Sequence, residues 1–193
     1  MRKRSRTVAL AIVGAASFTL AGCRDEQVDA QAFPDLESCK SAAVAGGLFS
    51  SAECDTAFAE AEALHVEAAP RYDSLAVCEE QHGEGACGSE EQVAERGSGS
   101  IFMPLLAGYL IGNMMGGGRG MAAAQPLYRS ADGRFTNATG SSTYSSNSGR
   151  AKMGSSMFAR PPSTVGKAPM TRASVASRGG FGSTGGSRSS FGG

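Results

Sequence analysis

The sequence predicts a mainly α-helical fold: a small disulfide-stapled helical module, a glycine-zipper-like apolar helix and a long disordered tail. Three observations lead there. Residues 33–96 carry four cysteines among several helix-start signals. Gly108, Gly112, Gly116 and Gly120 recur every four residues in an otherwise apolar run. Beyond residue 120 the chain is rich in Gly and Ser, with little apolar periodicity. With 27 glycines and no tryptophan, only part of the chain is expected to build a core.

The first stretch reads as an address. Arg2, Lys3, Arg4 and Arg6 are followed by an uncharged, mostly apolar run over 7–20. That is the length of a signal-peptide core, and it is too short for a permanent membrane span. Leu20-Ala21-Gly22-Cys23 resembles the bacterial lipobox. The resemblance implies a signal peptide over 1–22, cleavage before Cys23, and lipidation of its sulfur and new amino group. A lipidated linker over 23–32 then follows. Three acyl chains hold far more firmly than one. Arg24 stands where an Asp would retain a lipoprotein in the inner membrane. The expected location is therefore the outer membrane, with the chain facing the periplasm.

The charge is segregated. Residues 24–98 hold four basic and seventeen acidic residues, a net −13, and residues 99–193 hold ten basic residues and Asp132, a net +9. An acidic front and a basic back point to charge pairing within or between chains, or to a basic tail meeting an anionic surface.

With Cys23 consumed by lipid, Cys39, Cys54, Cys78 and Cys87 remain. An even count in an oxidising compartment reads as two disulfides, which a module of this size needs. Ser50 and Glu53 form a capping box. Cys54, Phe58, Ala61, Leu64 and Ala68 then share one helical face, which Pro70 closes. Asp73-Ser74 and Asp35 start two further helices. A weak repeat relates the segments around Cys39 and Cys78, each followed by a Gly-containing loop and another cysteine. It favours Cys39–Cys54 and Cys78–Cys87, with the other two pairings still open. There is no Cys-x-x-Cys, and the spacings lack the close pairs of a zinc site, so neither redox catalysis nor metal binding is expected. His65 and His82 are read as helix-surface residues, because no convergent partner is identifiable. No catalytic residue, cofactor or metal is assigned.

The apolar run over 99–120 reads as one helix, with Pro104 in its first turn. On it Gly108, Gly112, Gly116 and Gly120 would form a close-packing stripe. Too short to span, it is expected to lie at a membrane interface or to self-associate or engage an envelope partner. A core hairpin of the four-cysteine region is the competing expectation. Residues 121–193 read as a disordered basic tail. Arg178-Gly179-Gly180-Phe181-Gly182 looks like an RNA-binding element, but the lipobox argues against a nucleic-acid partner. Gly180, Gly182 and Gly185 match a dinucleotide fingerprint by letter only.

Taken in order, several blocks resemble the YgiB-type family of uncharacterised proteobacterial envelope lipoproteins. They are Ser51 to Cys54, Ala69-Pro70-Arg71-Tyr72, Cys78, Gly83-Glu84-Gly85-Ala86-Cys87, Phe102 to Tyr109, Met115 to Gly118 and Arg178 to Gly182. The family has no established activity, so the resemblance carries over no catalytic residues. The functional expectation is a non-enzymatic outer-membrane lipoprotein that binds or scaffolds in the periplasm. The alternative is an accessory subunit whose acidic module attracts a cationic small molecule such as a polyamine for a partner enzyme or transporter.

Overall fold

A computed structural model describes residues 26–94, 99–114 and 121–180. Along the chain they form strand β1 (Gln27–Phe33), helices α1 (Leu36–Val44), α2 (Ser51–Ala68) and α3 (Leu75–His82), strand β2 (Cys87–Ser89) and helix α4 (Glu90–Ala94). Strands β3 (Phe102–Pro104), β4 (Gly108–Met114), β5 (Met121–Arg129), β6 (Phe135–Thr136), β7 (Thr143–Tyr144) and β8 (Gly149–Gly154) follow. A 3-10 turn (Ser155–Phe158) and helix α5 (Arg172–Ser177) complete them.

The fold is therefore not mainly α. Its centre is a six-stranded, wholly antiparallel sheet in the order β7-β6-β5-β4-β1-β8. β2 and β3 form a second, two-stranded sheet. The large sheet is strongly curled. β7 and β8 lie at its opposite edges, yet only residues 145–148 join them. A flat sheet of six strands would set its edges about 24 Å apart. The linking residues reach about 17 Å when fully extended. The sheet must bend until its edges approach each other.

The three helices start where their local chemistry says. Asp35 accepts from Ser38 N–H at 2.7 Å, and this bond holds its carboxyl below the usual range. Ser50 and Glu53 close the capping box in both directions, at 2.7 and 3.3 Å. Ser74 caps α3, and Gly83 ends it with φ 97°. The Cys39–Cys54 bridge ties α1 to α2, and Cys78–Cys87 ties α3 to β2.

Three expectations fail for one reason: strands replaced helix and coil. The segment expected as a linker to residue 32 holds most of β1. Its letters alternate, with Val28, Ala30 and Ala32 buried and Gln27 and Asp29 exposed, the pattern of a half-buried strand. The apolar run supplies β3 and β4 instead of a helix. On β4, Tyr109 and Ile111 point to one face and pack with Phe33, Ala57 and Ala61 under α1 and α2. Leu110 points to the other and packs with Val28, Leu127 and Phe158. As a helix the run would suffer a glycine in every turn, at about 1 kcal/mol each relative to alanine. As a strand between β1 and β5 it has backbone partners on both sides. Much of the supposed disordered tail is also folded, as β5 to β8, the 3-10 turn and α5; residues 181–193 lie outside the described residues.

Candidate functional site

Among the described residues, a buried polar cluster grows from the end of α2. Pro70 disfavours helical geometry at Ala69, whose ψ is 143°, and the turn carries Arg71 into the interior. Arg71 is only 5% exposed. A buried guanidinium needs partners for its donors. Nε donates to Glu90 Oε1 at 2.7 Å, on α4, and Nη2 donates to the Val66 carbonyl at 2.8 Å. Nη1 donates to the Ala69 carbonyl at 3.4 Å and to the Thr164 hydroxyl. Thr164 in turn donates its amide to the Glu67 carbonyl at 2.9 Å. Arg71 thus fastens the late segment around residue 164 to α2 and α4.

Beside it runs a row of four buried rings: His65, Tyr128, His82 and Tyr72. Successive centroids are 5.6, 6.3 and 5.5 Å apart. His82 Nδ1 lies 2.6 Å from the Arg129 carbonyl. A carbonyl only accepts, so Nδ1 carries the proton. Burial pushes the His82 pKa down to about 4, partly offset by that carbonyl bond, so the ring is neutral. Its Nε2 therefore accepts from Tyr72 O–H at 2.8 Å. His65 Nδ1 lies 3.0 Å from Tyr128 Oη. Burial and then the nearby Arg71 charge bring the His65 pKa down to about 4. Burial raises both phenols well above their ordinary value. Neither histidine is on the surface as the sequence reading had it; they are 6% and 0% exposed. At neutral pH both histidines are neutral and buried, each bonded through a ring nitrogen to a tyrosine.

Between this cluster and the returning chain lies a cavity of about 460 Å³. Ala68, Ala138, Met170 and Val175 give it an apolar body, and Thr139 and Thr164 add hydroxyls. Arg71, Lys167 and Arg178 line it too, and no carboxylate does among the described residues. Its size and mixed lining are those of a small-molecule site.

The four cysteines pair as the repeat favoured. Cys23, Gly116 and Gly120 lie outside the described residues. Gly108 and Gly112 are not on a helix stripe. A Cβ on Gly108, at φ 146°, would meet the Phe33 carbonyl at 2.7 Å, and Gly112 faces the Phe158 ring. No helix among the described residues is long and apolar enough to cross a membrane, and none of their His, Cys, Asp and Glu side chains cluster in threes to hold a metal. Sequence reasoning missed Arg71, Thr164, Lys167 and Arg178. The signal for the first was present in Ala69-Pro70-Arg71-Tyr72, where one proline turn sends Arg71 to Glu90 and Tyr72 to His82.

Fold and site together define a disulfide-stapled α+β protein with a curled antiparallel sheet and a cation-lined cavity. The chain belongs to the family described as Protein of unknown function (DUF1190), whose model matches residues 27–192. It is similar to a UPF0441 protein of Klebsiella pneumoniae (strain 342), with 37% identity over 190 residues, covering 91% of this chain and 78% of the relative. A UPF0441 protein of Erwinia tasmaniensis is 38% identical over 189 residues, with the same coverage. No solved structure matches.

Proposed function

We propose that this chain is a non-enzymatic lipoprotein of the outer membrane, facing the periplasm, and that its folded body is a ligand-binding module. The observation that carries the binding role is the cavity beneath Arg71, walled by the late segment that Thr164 pins down. Neither histidine stands in an open site: both are buried, both ring nitrogens of His82 are engaged with Tyr72 and the Arg129 carbonyl, and His65 Nδ1 meets Tyr128 Oη. The lipobox at 20–23 supports the anchor, and the two bridges suit an oxidising compartment. The polyamine alternative gains nothing from this cavity, where a cationic guest would face Arg71, Lys167 and Arg178. Nor do the described parts of 99–120 offer a partner surface through Tyr109, Leu110 or Ile111, all buried. Radiolabelled palmitate, supplied to cells making the wild-type chain and Cys23→Ser, tests the anchor. Label in the wild type alone, with sedimentation in the outer-membrane fraction, is the expected result. Equal labelling of both would remove the lipoprotein reading.

A further inference from the structure

Six of the described cationic side chains pair with carboxylates: Lys40, Arg71, Arg134, Lys152, Arg160 and Arg172. Arg129, Arg150, Lys167 and Arg178 do not, and of these four Lys167 and Arg178 line the cavity. Arg71 contributes little free charge, because Glu90 balances it and its donors are engaged. The net positive charge of the lining thus comes from Lys167 and Arg178, on either side of Met170 in the sequence, whose sulfur lies 3.6 Å from Arg178 Nη1. Two of the four exposed cations without a carboxylate partner thus stand beside an apolar hollow. That arrangement complements a guest with a negative end and an apolar body.

We propose that the cavity binds small amphipathic anions, with Lys167 and Arg178 meeting a carboxylate or phosphate group and Ala68, Ala138, Met170 and Val175 holding the apolar part. Thr139 also lines the cavity, its hydroxyl held by Asn137 and Ser141. The proposal rests on the reading of this cavity as the ligand site and adds the charge of the guest. Recognition by exposed cations makes the affinity fall with added salt.

Methionine methyl NMR on the full chain in detergent tests this, because Met170 lies in the cavity wall and Met170→Leu identifies its signal. Three probes share one tail: hexanoate, hexyl phosphate and hexylammonium. Hexanoate or hexyl phosphate, or both, should move the Met170 signal saturably while hexylammonium does not. The tighter of the two anions then tells a carboxylate ligand from a phosphate ester. Lys167→Glu/Arg178→Glu changes only exposed side chains and should weaken anion binding roughly tenfold, as expected for reversing two partly screened contacts. If hexylammonium moves Met170 as strongly as hexanoate, or if the double variant binds hexanoate unchanged, the anion proposal is wrong while the cavity remains a binding site. If no probe moves Met170, the proposal and the ligand-site reading fall together.

Discussion

The ring of Phe158 lies against Gly112, in space that any side chain at that position would need. A Cβ built on Gly112 would stand 2.7 Å from Phe158 Cε1, and closer still to Cζ and Cε2. Gly112 pairs with Ala30 and Ala123 on the neighbouring strands, so three small residues lie side by side beneath the ring. The glycine is there to admit an aromatic side chain from the 3-10 turn 46 residues later, counting from position 112 to 158.

Gly112→Ala should therefore destabilise the fold by about 1–3 kcal/mol, the usual range for overpacking a core. In a Phe158→Ala background the same change should cost little, because the ring it collides with is gone. Urea melts of the four variants give the coupling energy. Additive effects would mean that Phe158 is not what Gly112 accommodates.

Stability should fall on acidification before most carboxylates titrate. His65 and His82 are held neutral with pKa values of about 4, against an ordinary 6.5. Below pH 6.5 the unfolded chain takes up protons that the folded chain refuses. The stabilisation is thus complete above pH 6.5 and is lost as the pH drops towards 4, at about 1.4 kcal/mol per pH unit for each histidine. Denaturation at pH 7.5, 6 and 5 measures the slope. His65→Gln and His82→Gln should each remove roughly one proton from it, whatever they do to absolute stability.

Arg71→Met should cost about 3–5 kcal/mol, since it leaves the largely buried Glu90 carboxylate without its cation. Arg71→Met with Glu90→Met should recover part of that loss. Hydrogen exchange at the Thr164 amide, bonded to the Glu67 carbonyl, should speed up in the single variant as the late segment loosens. Unchanged exchange there would show that Arg71 does not fasten the segment.

The bridges should matter in proportion to the loops they close. Cys39 and Cys54 are 15 residues apart, and replacing both with Ala should cost about 3 kcal/mol on the loop-entropy scale. Cys78 and Cys87 are 9 apart, and losing them should cost about 0.5 kcal/mol less. Thiol titration of the unreduced protein should find none of these four cysteines free.

What the sequence made legible was local. Asp35, Ser50 and Ser74 cap helices through bonds three residues away, so a short window holds the whole cause. The cysteine pairs close loops of similar design, and the repeat favoured them over the two other pairings. The sheet was illegible because its ladders join distant segments: Gln27 pairs with Gly154, and Ala30 with both Gly112 and Ala151. Glycines spaced by four imitated a helix face, while Tyr109, Leu110 and Ile111 in fact alternate across a strand. β6 and β7, two residues each, are too short to show a period at all. The cavity was hidden for the same reason. Arg71 and Thr164 are 93 residues apart, and Lys167 and Arg178 sit in a stretch whose composition reads as coil.

β1 is the first strand among the described residues and one of the last to be satisfied. One side of its ladder waits for β4 and the other for β8, which begins at Gly149. Until β8 arrives a half-apolar edge stays open on that flank, the condition that invites wrong strand pairing. Such long-range closure slows folding, because the loops between partners must be ordered before the contacts between them form. The helices, stapled by bridges of 15 and 9 residues, can settle early and wait. Folding of this chain is therefore a matter of timing: a quick helical shell, then a sheet that cannot shut until nearly everything has arrived.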